Sequence, residues 1–283
     1  MKYYIIIPAY NEEKFIGLTL QSLAEQTILP SKIVVVNDNS TDKTAEIVLE
    51  YAKNNSNITL VNKTSEAIHL PGSKVIEAFQ KGLEAIDHNY DIIVKLDGDL
   101  ILPTNYFEKI LEYFKFDTTI GMAGGFAYIE KNGNWILENL TDKDHIRGAF
   151  KAYRKKCFQD IGGLKPAMGW DTVDELLAKF YGWKVVTDDT LKVKHLKPTG
   201  ANYNKIGRYK QGEAFYTLGY GFMITAIASA KLAYMKRKPL LFLDYIKGFW
   251  KAKSDRKQLL ISKEQAKFIR NYRWKKMKLK LLS

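Results

Sequence analysis

The first third of the chain alternates short apolar runs with amphipathic stretches. Four runs, Tyr4–Ile7, Lys32–Val36, Ile58–Val61 and Ile92–Leu96, are rich in β-branched residues and almost continuously hydrophobic. A strand with one face in water would alternate apolar and polar residues. Continuous hydrophobicity therefore predicts parallel strands covered on both faces. Helical patterns fill the gaps over Phe15–Gln26, Thr44–Lys53 and Lys74–Ile86. The first follows Asn11-Glu12-Glu13 and the second follows Asn39-Ser40-Thr41-Asp42, both of which read as helix caps. The third follows the turn Pro71-Gly72-Ser73. Such alternation predicts an α/β fold: a doubly wound, mostly parallel sheet with helices on both faces.

Beyond Asp99 the rhythm changes. Asn105–Phe114 reads as a helix and Gly121–Ile129 as a strand, with Trp135–Glu138 paired to it. A helix is expected to include His145–Tyr153, and another to end near Gly182. Strands at Lys184–Thr187 and Leu191–His195 complete the α/β body. Segments 211–235 and 239–253 read as apolar or aromatic helices, and 263–283 holds eight Lys or Arg against one Glu. The expected organisation is an α/β domain over 1–200 and a helical, aromatic and basic extension over 201–283.

Open α/β sheets bind ligands at the carboxyl ends of their strands. Three polar segments fall there: Pro8–Glu13, Asn37–Asp42 and Asp97–Asp99. The last is the most informative. Asp97 and Asp99 are alternate residues on an extended segment, so both carboxylates can face one ion. Gly98 between them lets the backbone approach a ligand. Oxygen donors of this kind suit Mg²⁺ or Mn²⁺ that also takes phosphate oxygens. Asp38 can accept a hydrogen bond from a nucleobase ring N–H. The backbone of Pro8, Ala9 and Tyr10 can line a nucleotide pocket, with Glu12 at the ribose or base. Each segment alone also reads as an ordinary turn or helix cap; their convergence on one sheet edge carries the argument.

Composition narrows the partners. Hydrophobic residues make up 46% of the 283, enough for a substantial core, and the net charge is +13. That excess points to an anionic partner. No module with interleaved bases and aromatics points to nucleic acid. The single cysteine, Cys157, excludes an internal disulfide and reads as a buried structural thiol. The N-terminal apolar run is short for a secretory signal. Ala214–Ala230 carries no charge but is short for a membrane span and reads as a buried or membrane-lying helix. A cytoplasmic location is expected, peripheral at the inner membrane face if Arg270–Lys276 anchors on anionic lipid. A solvated basic helix is the equal alternative for that segment.

Taken in order, Pro-Ala-Tyr-Asn-Glu-Glu, Asn-Asp-Asn-Ser-Thr-Asp and Leu-Asp-Gly-Asp resemble the motifs of family 2 glycosyltransferases of the GT-A fold. The resemblance covers roughly residues 3 to 200. It implies an enzyme that moves a sugar from a nucleotide-diphospho-sugar, commonly UDP-linked, to an acceptor hydroxyl with inversion. It places Asp38 at the base, and Asp97, Gly98 and Asp99 at the diphosphate and a divalent metal. Asn37 departs from the family's usual Asp. The resemblance also implies a catalytic carboxylate near the start of a later helix, where Asp171, Asp174 and Glu175 stand. The family's spacing back from Gly182-Trp183-Lys184 selects Asp171, with Asp174 second. His195 resembles a histidine that some members place on the metal. Lys74 and Arg147 are candidates for phosphate or acceptor. The implied acceptor is a saccharide or a lipid-linked saccharide, in surface polysaccharide or glycolipid synthesis.

Other readings of an Asp-x-Asp pair fit less well. A phosphotransferase of the haloacid type carries it after the first strand, and a dinucleotide oxidoreductase needs a Gly-rich early turn. The competing class is a non-catalytic protein that holds anionic partners on its basic surface.

Overall fold

A computed structural model describes residues 1–64, 72–138, 143–197 and 206–282. The chain divides into two compact units, Met1–Pro166 with Trp170–Thr199, and Ala167–Gly169 with Gly200–Ser283. The boundary expected at residue 200 lies outside the described residues.

The first unit begins with β1 (Tyr3–Ala9), α1 (Ile16–Ala24), β2 (Lys32–Asp38), α2 (Thr44–Asn54), β3 (Ile58–Lys63), α3 (Ser73–Glu84) and β4 (Ile92–Leu96). All four expected strands are present. They pair in parallel in the order β3-β2-β1-β4. Their side chains explain the continuous hydrophobicity: Ile5, Ile6, Ile7, Val35, Val36, Ile92 and Ile93 are all fully buried, on both faces.

The unit continues through β5 (Leu100–Ile101), α4 (Tyr106–Phe116), β6 (Ile120–Lys131), β7 (Asn134–Leu137), β8 (Phe150–Arg154), α5 (Lys155–Asp160), α6 (Trp170–Phe180) and β9 (Lys184–His195). The full order is β3-β2-β1-β4-β8-β6-β9-β5, with β7 on β6. β3, β2, β1, β4, β6 and β9 run one way, and β8, β7 and β5 the other. The sheet is thus mixed and mostly parallel.

Two expectations need correction. The helix over His145–Tyr153 does not form. Phe150–Arg154 is instead the strand β8, wedged antiparallel between β4 and β6. Phe150, Lys151, Ala152 and Tyr153 are all buried, so a strand covered on both faces mimicked a buried helix in sequence. The second correction concerns the caps. Asn11 and Asn39 sit at φ 53° and 59°, and neither caps a helix. Instead, the loops after β1 and β2 clasp each other. Asn11 Oδ1 accepts the Thr41 N–H (2.8 Å), Thr44 Oγ1 accepts the Glu12 N–H (2.8 Å), and Asp42 Oδ2 accepts the Glu13 N–H (3.0 Å). Asp42 also accepts the first N–H of α2, from Thr44 (3.0 Å). This clasp fixes the loops that end β1 and β2 relative to each other.

The second unit holds α7 (Ile206–Thr217), α8 (Gly221–Met235), α9 (Leu240–Ser254) and α10 (Lys263–Leu282). The apolar run 214–230 is broken between α7 and α8 by Gly219 and Gly221, at φ 69° and 71°. Among the described residues no helix is long and apolar enough to cross a membrane. α7 and α9 touch backbone to backbone through two glycines. A Cβ on Gly212 would lie 1.8 Å from the Tyr245 carbonyl oxygen, and one on Gly248 would lie 2.1 Å from that of Tyr209. An exposed helical Gly→Ala change gains up to about 1 kcal/mol in propensity. Here the clash is with backbone that cannot rotate away. Gly248→Ala should therefore destabilise by about 1–3 kcal/mol, seen as a lower midpoint in chemical denaturation. An unchanged midpoint would mean that the two helices do not cross this closely.

Candidate active site at the carboxyl edge of the sheet

The parallel register brings the three polar segments together. β1 and β2 are paired up to Ala9 and Asn37, and β2 and β3 up to Asp38 and Lys63. Ala9 is buried, Pro8 half-buried, and Tyr10 stands exposed at the lip. Asp38 is nearly buried and lies 3.4 Å from the Lys63 ammonium. Asn37 donates to Asn62 Oδ1 (2.9 Å) and accepts from the Ser40 N–H (3.2 Å). Lys74 stands half-buried in the first turn of α3.

β4 delivers Asp97 and Asp99. Its last residues pair with β8, and Asp97 N–H donates to Ala149 O (2.8 Å). Asp97 is gripped by Lys95, two residues earlier on the same side of the strand, and its carboxylate is about one-third exposed. Burial raises the Asp97 pKa against the pull of Lys95, and the neighbouring Asp99 adds to the rise. Asp99 meets His195 through β5–β9 pairing. Leu100 and His195 are register partners, and His195 Nε2 lies 3.4 Å from Asp99 Oδ2. The other ring nitrogen lies 3.5 Å from Glu138, which holds Arg147 at 3.2 Å. Burial disfavours the imidazolium, but Asp99 and Glu138 outweigh it and raise the His195 pKa to about 9. Glu12 comes over the same carboxylates from the β1 side. Burial lifts its carboxyl to about 7 against the pull of Lys197, which donates to it. Its second oxygen, Oε2, is buried with no hydrogen-bond partner among the described residues.

This donor set fits a divalent cation of the Mg²⁺ or Mn²⁺ kind held jointly with a diphosphate. Asp97, Asp99 and His195 offer oxygen and imidazole donors, and Glu12 Oε2 is an orphaned oxygen beside them. Among the described residues no group of three or more His, Cys, Asp or Glu is arranged to hold a metal alone. Hard cations of this type ordinarily complete their shell with phosphate oxygens and water.

α6 supplies the remaining carboxylates. Asp171 is about one-third exposed, and its carboxylate lies 3.7 Å from His145 Nε2. Burial would raise the Asp171 pKa, but His145 and Lys151 hold it at about 2, so it is ionised near neutrality. Asp174 is turned inward. It is 2% exposed and bonded to the Lys151 ammonium (3.0 and 3.1 Å) and the Tyr153 hydroxyl (2.6 Å). Glu175 is also buried and accepts from Lys151 (3.1 Å) and the Ile146 N–H (2.9 Å), with His145 Nδ1 at 3.1 Å. Of the three candidates, Asp171 alone presents its carboxylate to solvent.

Several residues here escaped the sequence reading: Lys95, Lys151, Trp170, Glu138, His145 and Lys197. Lys95 and Lys151 are directly opposed across β4 and β8. Both are buried, and both ammonium groups approach the Trp170 ring, at 5.3 and 5.9 Å. A lone lysine inside an apolar strand was the available signal for each.

The His145 contacts have a pH signature. Burial opposes its charge, but Asp171 and Glu175 raise the pKa from 6.5 to about 9 on folding. The folded state binds this proton more tightly. The contribution to stability is therefore complete below pH 6.5 and fades as pH rises through about 9. His145→Gln should lose stability relative to wild type in mildly acidic buffer, and the gap should close above about pH 9. Urea midpoints across that range measure it; a pH-independent gap would contradict the ion pairing.

The chain has counterparts among known proteins. The model of the family "Glycosyl transferase family 2" matches residues 4–164, more than half of the chain.

The chain belongs to glycosyl transferase family 2.

The family member is 29% identical over 175 residues to the uncharacterized glycosyltransferase MG025 of Mycoplasma genitalium, covering 57% of this chain and 56% of that protein. It is 27% identical over 185 residues to the O-antigen chain rhamnosyltransferase RfbN of Salmonella typhimurium, covering 58% and 56%. The matched segment thus spans little more than half of either relative. Two solved structures share the fold, which is the GT-A glycosyltransferase fold. The mannosyltransferase PcManGT of Pyrobaculum calidifontis, in complex with GDP-Man and Mn²⁺, superposes with a TM-score of 0.59 at 16% identity, covering 95% of this chain and 78% of that one. TarS 1–349 of S. aureus, in complex with UDP-GlcNAc, gives 0.57 at 19% identity, covering 81% and 67%.

Proposed function

We propose that this family 2 member transfers a sugar from a nucleotide-diphospho-sugar, UDP-linked, to a hydroxyl of a saccharide or lipid-linked acceptor, with inversion at the anomeric carbon. The observation that carries the proposal is the meeting of Asp97, Asp99, His195 and Glu12 at the carboxyl edge of a GT-A sheet. Asp38 receives the base N–H, and the loop Pro8–Tyr10 lines the nucleotide. Asp97, Asp99 and His195 would hold a divalent cation, which would offset the charge that builds on the departing diphosphate.

Asp171 is the general base. Its ionised carboxylate takes the proton of the acceptor hydroxyl as that oxygen attacks the anomeric carbon and the bond to the diphosphate oxygen breaks. The leaving diphosphate departs with the bonding pair. His145 holds Asp171 in place, and the buried Lys151–Asp174–Glu175 network holds α6 against the sheet. A low pKa makes Asp171 a weak base, but it leaves the carboxylate ready at neutral pH. The relatives named above include an O-antigen chain rhamnosyltransferase, which supports a role in surface polysaccharide or glycolipid synthesis, and we place that role at the cytoplasmic membrane face. The basic C-terminal unit would meet anionic lipid there.

The test is nucleotide release from a panel of UDP-sugars and GDP-mannose. Release that needs Mn²⁺ or Mg²⁺ and rises with a saccharide acceptor is the expected result. No release from any donor under either metal would leave the non-catalytic reading in its place.

A further inference from the structure

α8 buries Ile224 and also exposes a row of apolar side chains. Thr225 and Ser229 are fully buried and Ala233 nearly so, while Met223 (61% exposed), Ile227 (43%) and Tyr234 (86%) face outward. These three lie at i, i+4 and i+11 and so share one helical face. α9 also keeps Leu240 (74%), Leu243 (51%) and Trp250 (47%) on one exposed face, while Leu241, Tyr245 and Phe249 are buried. The two helices form an antiparallel hairpin. Phe222 meets Trp250 at one end (5.6 Å between ring centroids), and Ala233 packs with Leu241 at the other. Exposed apolar side chains gathered in one patch mark a face that meets something apolar.

The tip of this hairpin reads Tyr234-Met235-Lys236-Arg237-Lys238-Pro239-Leu240. Its three consecutive cations are exposed, and none forms an ion pair among the described residues. Beside them an open apolar pocket of about 600 Å³ is lined by Ala233, Tyr234, Pro239 and Phe242, with Arg237 and Lys238 also in its wall. The charge of the chain is concentrated in this region. Residues 206–282 carry 19 Lys and Arg against four Asp and Glu, whereas 1–205 carry 25 against 27. α10 is the more basic helix in sequence, but Arg270 donates to Gly219 O (3.0 Å) and Arg273 binds the Tyr220 hydroxyl and stacks on its ring. Those two arginines fasten α10 to the corner before α8.

We infer that the α8–α9 tip is the element by which the chain docks on an anionic lipid bilayer. Tyr234, Met235 and Leu240 enter the headgroup region, and Lys236, Arg237 and Lys238 meet the lipid phosphates. A second copy of the chain is the poorer occupant, because it would set these cations against their own kind. The inference rests on the reading that the basic C-terminal unit meets a membrane, and it assigns the contact to the tip rather than to α10.

The test is co-sedimentation of the full chain with vesicles of phosphatidylcholine plus phosphatidylglycerol, and of phosphatidylcholine alone. Wild type should bind the anionic vesicles only, and less with added salt. Lys236→Glu/Arg237→Glu/Lys238→Glu should lose about a hundredfold in affinity, and Tyr234→Ser/Leu240→Ser should also weaken binding. Lys275→Glu/Lys276→Glu on α10 should lose far less. Helical circular dichroism and nucleotide binding on the same samples report folding and the transferase site separately. Should the triple variant not fold, Lys236→Gln/Lys238→Gln serves in its place. Tip variants that bind like wild type, or a larger loss from the α10 variant, would overturn the inference alone. Wild type that ignores anionic vesicles, or that dimerises through Tyr234 and Leu240, would overturn the membrane reading with it.

Discussion

Asp171→Asn should lower kcat by about 10²- to 10⁴-fold, the range spanned by positioned general bases, with nucleotide affinity unchanged. Asparagine keeps the size of the side chain but cannot take the acceptor's proton. Among the described residues its carboxylate forms an ion pair with His145, at 3.7 Å, and His145 keeps Glu175 at 3.1 Å. The variant should therefore fold. Asp174→Asn makes the opposite prediction. Asp174 neutralises Lys151 inside the protein, and removing one partner of a buried pair typically costs about 3–5 kcal/mol. Loss of stability in that variant, against loss of turnover in Asp171→Asn, separates the two acids that sequence spacing left adjacent. Steady-state kinetics with denaturation midpoints for both variants decide it. Full activity in Asp171→Asn would remove it as the base.

Asp99→Asn should have an effect of similar size on a different step. Asp99 is the carboxylate shared between the proposed cation and His195. Its neutral amide is a poor ligand for a hard cation and loses the charge that faces His195. Loss of several kcal/mol of leaving-group stabilisation corresponds to about 10³-fold or more in kcat/KM. The signature is that excess Mn²⁺ does not restore the rate. A variant rescued fully by metal would mean that Asp99 only tunes affinity.

Much of this site was legible in the chain because its carboxylates are local features. Asp38, Asp97 and Asp99 end apolar runs, and a run covered on both faces can be read without knowing its neighbours. The remaining site is made of pairings between distant elements. Lys151 finds Asp174 and Glu175 because β8 lies between β4 and β6, and β8 was the strand that read as a helix. Glu138 joins His195 to Arg147 only after β7 has folded back on β6. Lys197 meets Glu12 across 185 residues of sequence. Choosing Asp171 over Asp174 needs the rotation of α6 about its axis, and spacing alone does not set that angle. Asn11 was misread for a related reason: a short polar side chain before a helix serves equally as a cap or as a bond to the neighbouring loop.

Calorimetric titration of UDP, with and without Mn²⁺, into wild type and Asp99→Ala tests the central claim most directly. The account predicts binding that depends on Mn²⁺ in wild type and is lost in Asp99→Ala, since neither the protein nor the nucleotide alone completes the cation's shell. Silence toward UDP, GDP and other nucleotides, with the metal present, would contradict it.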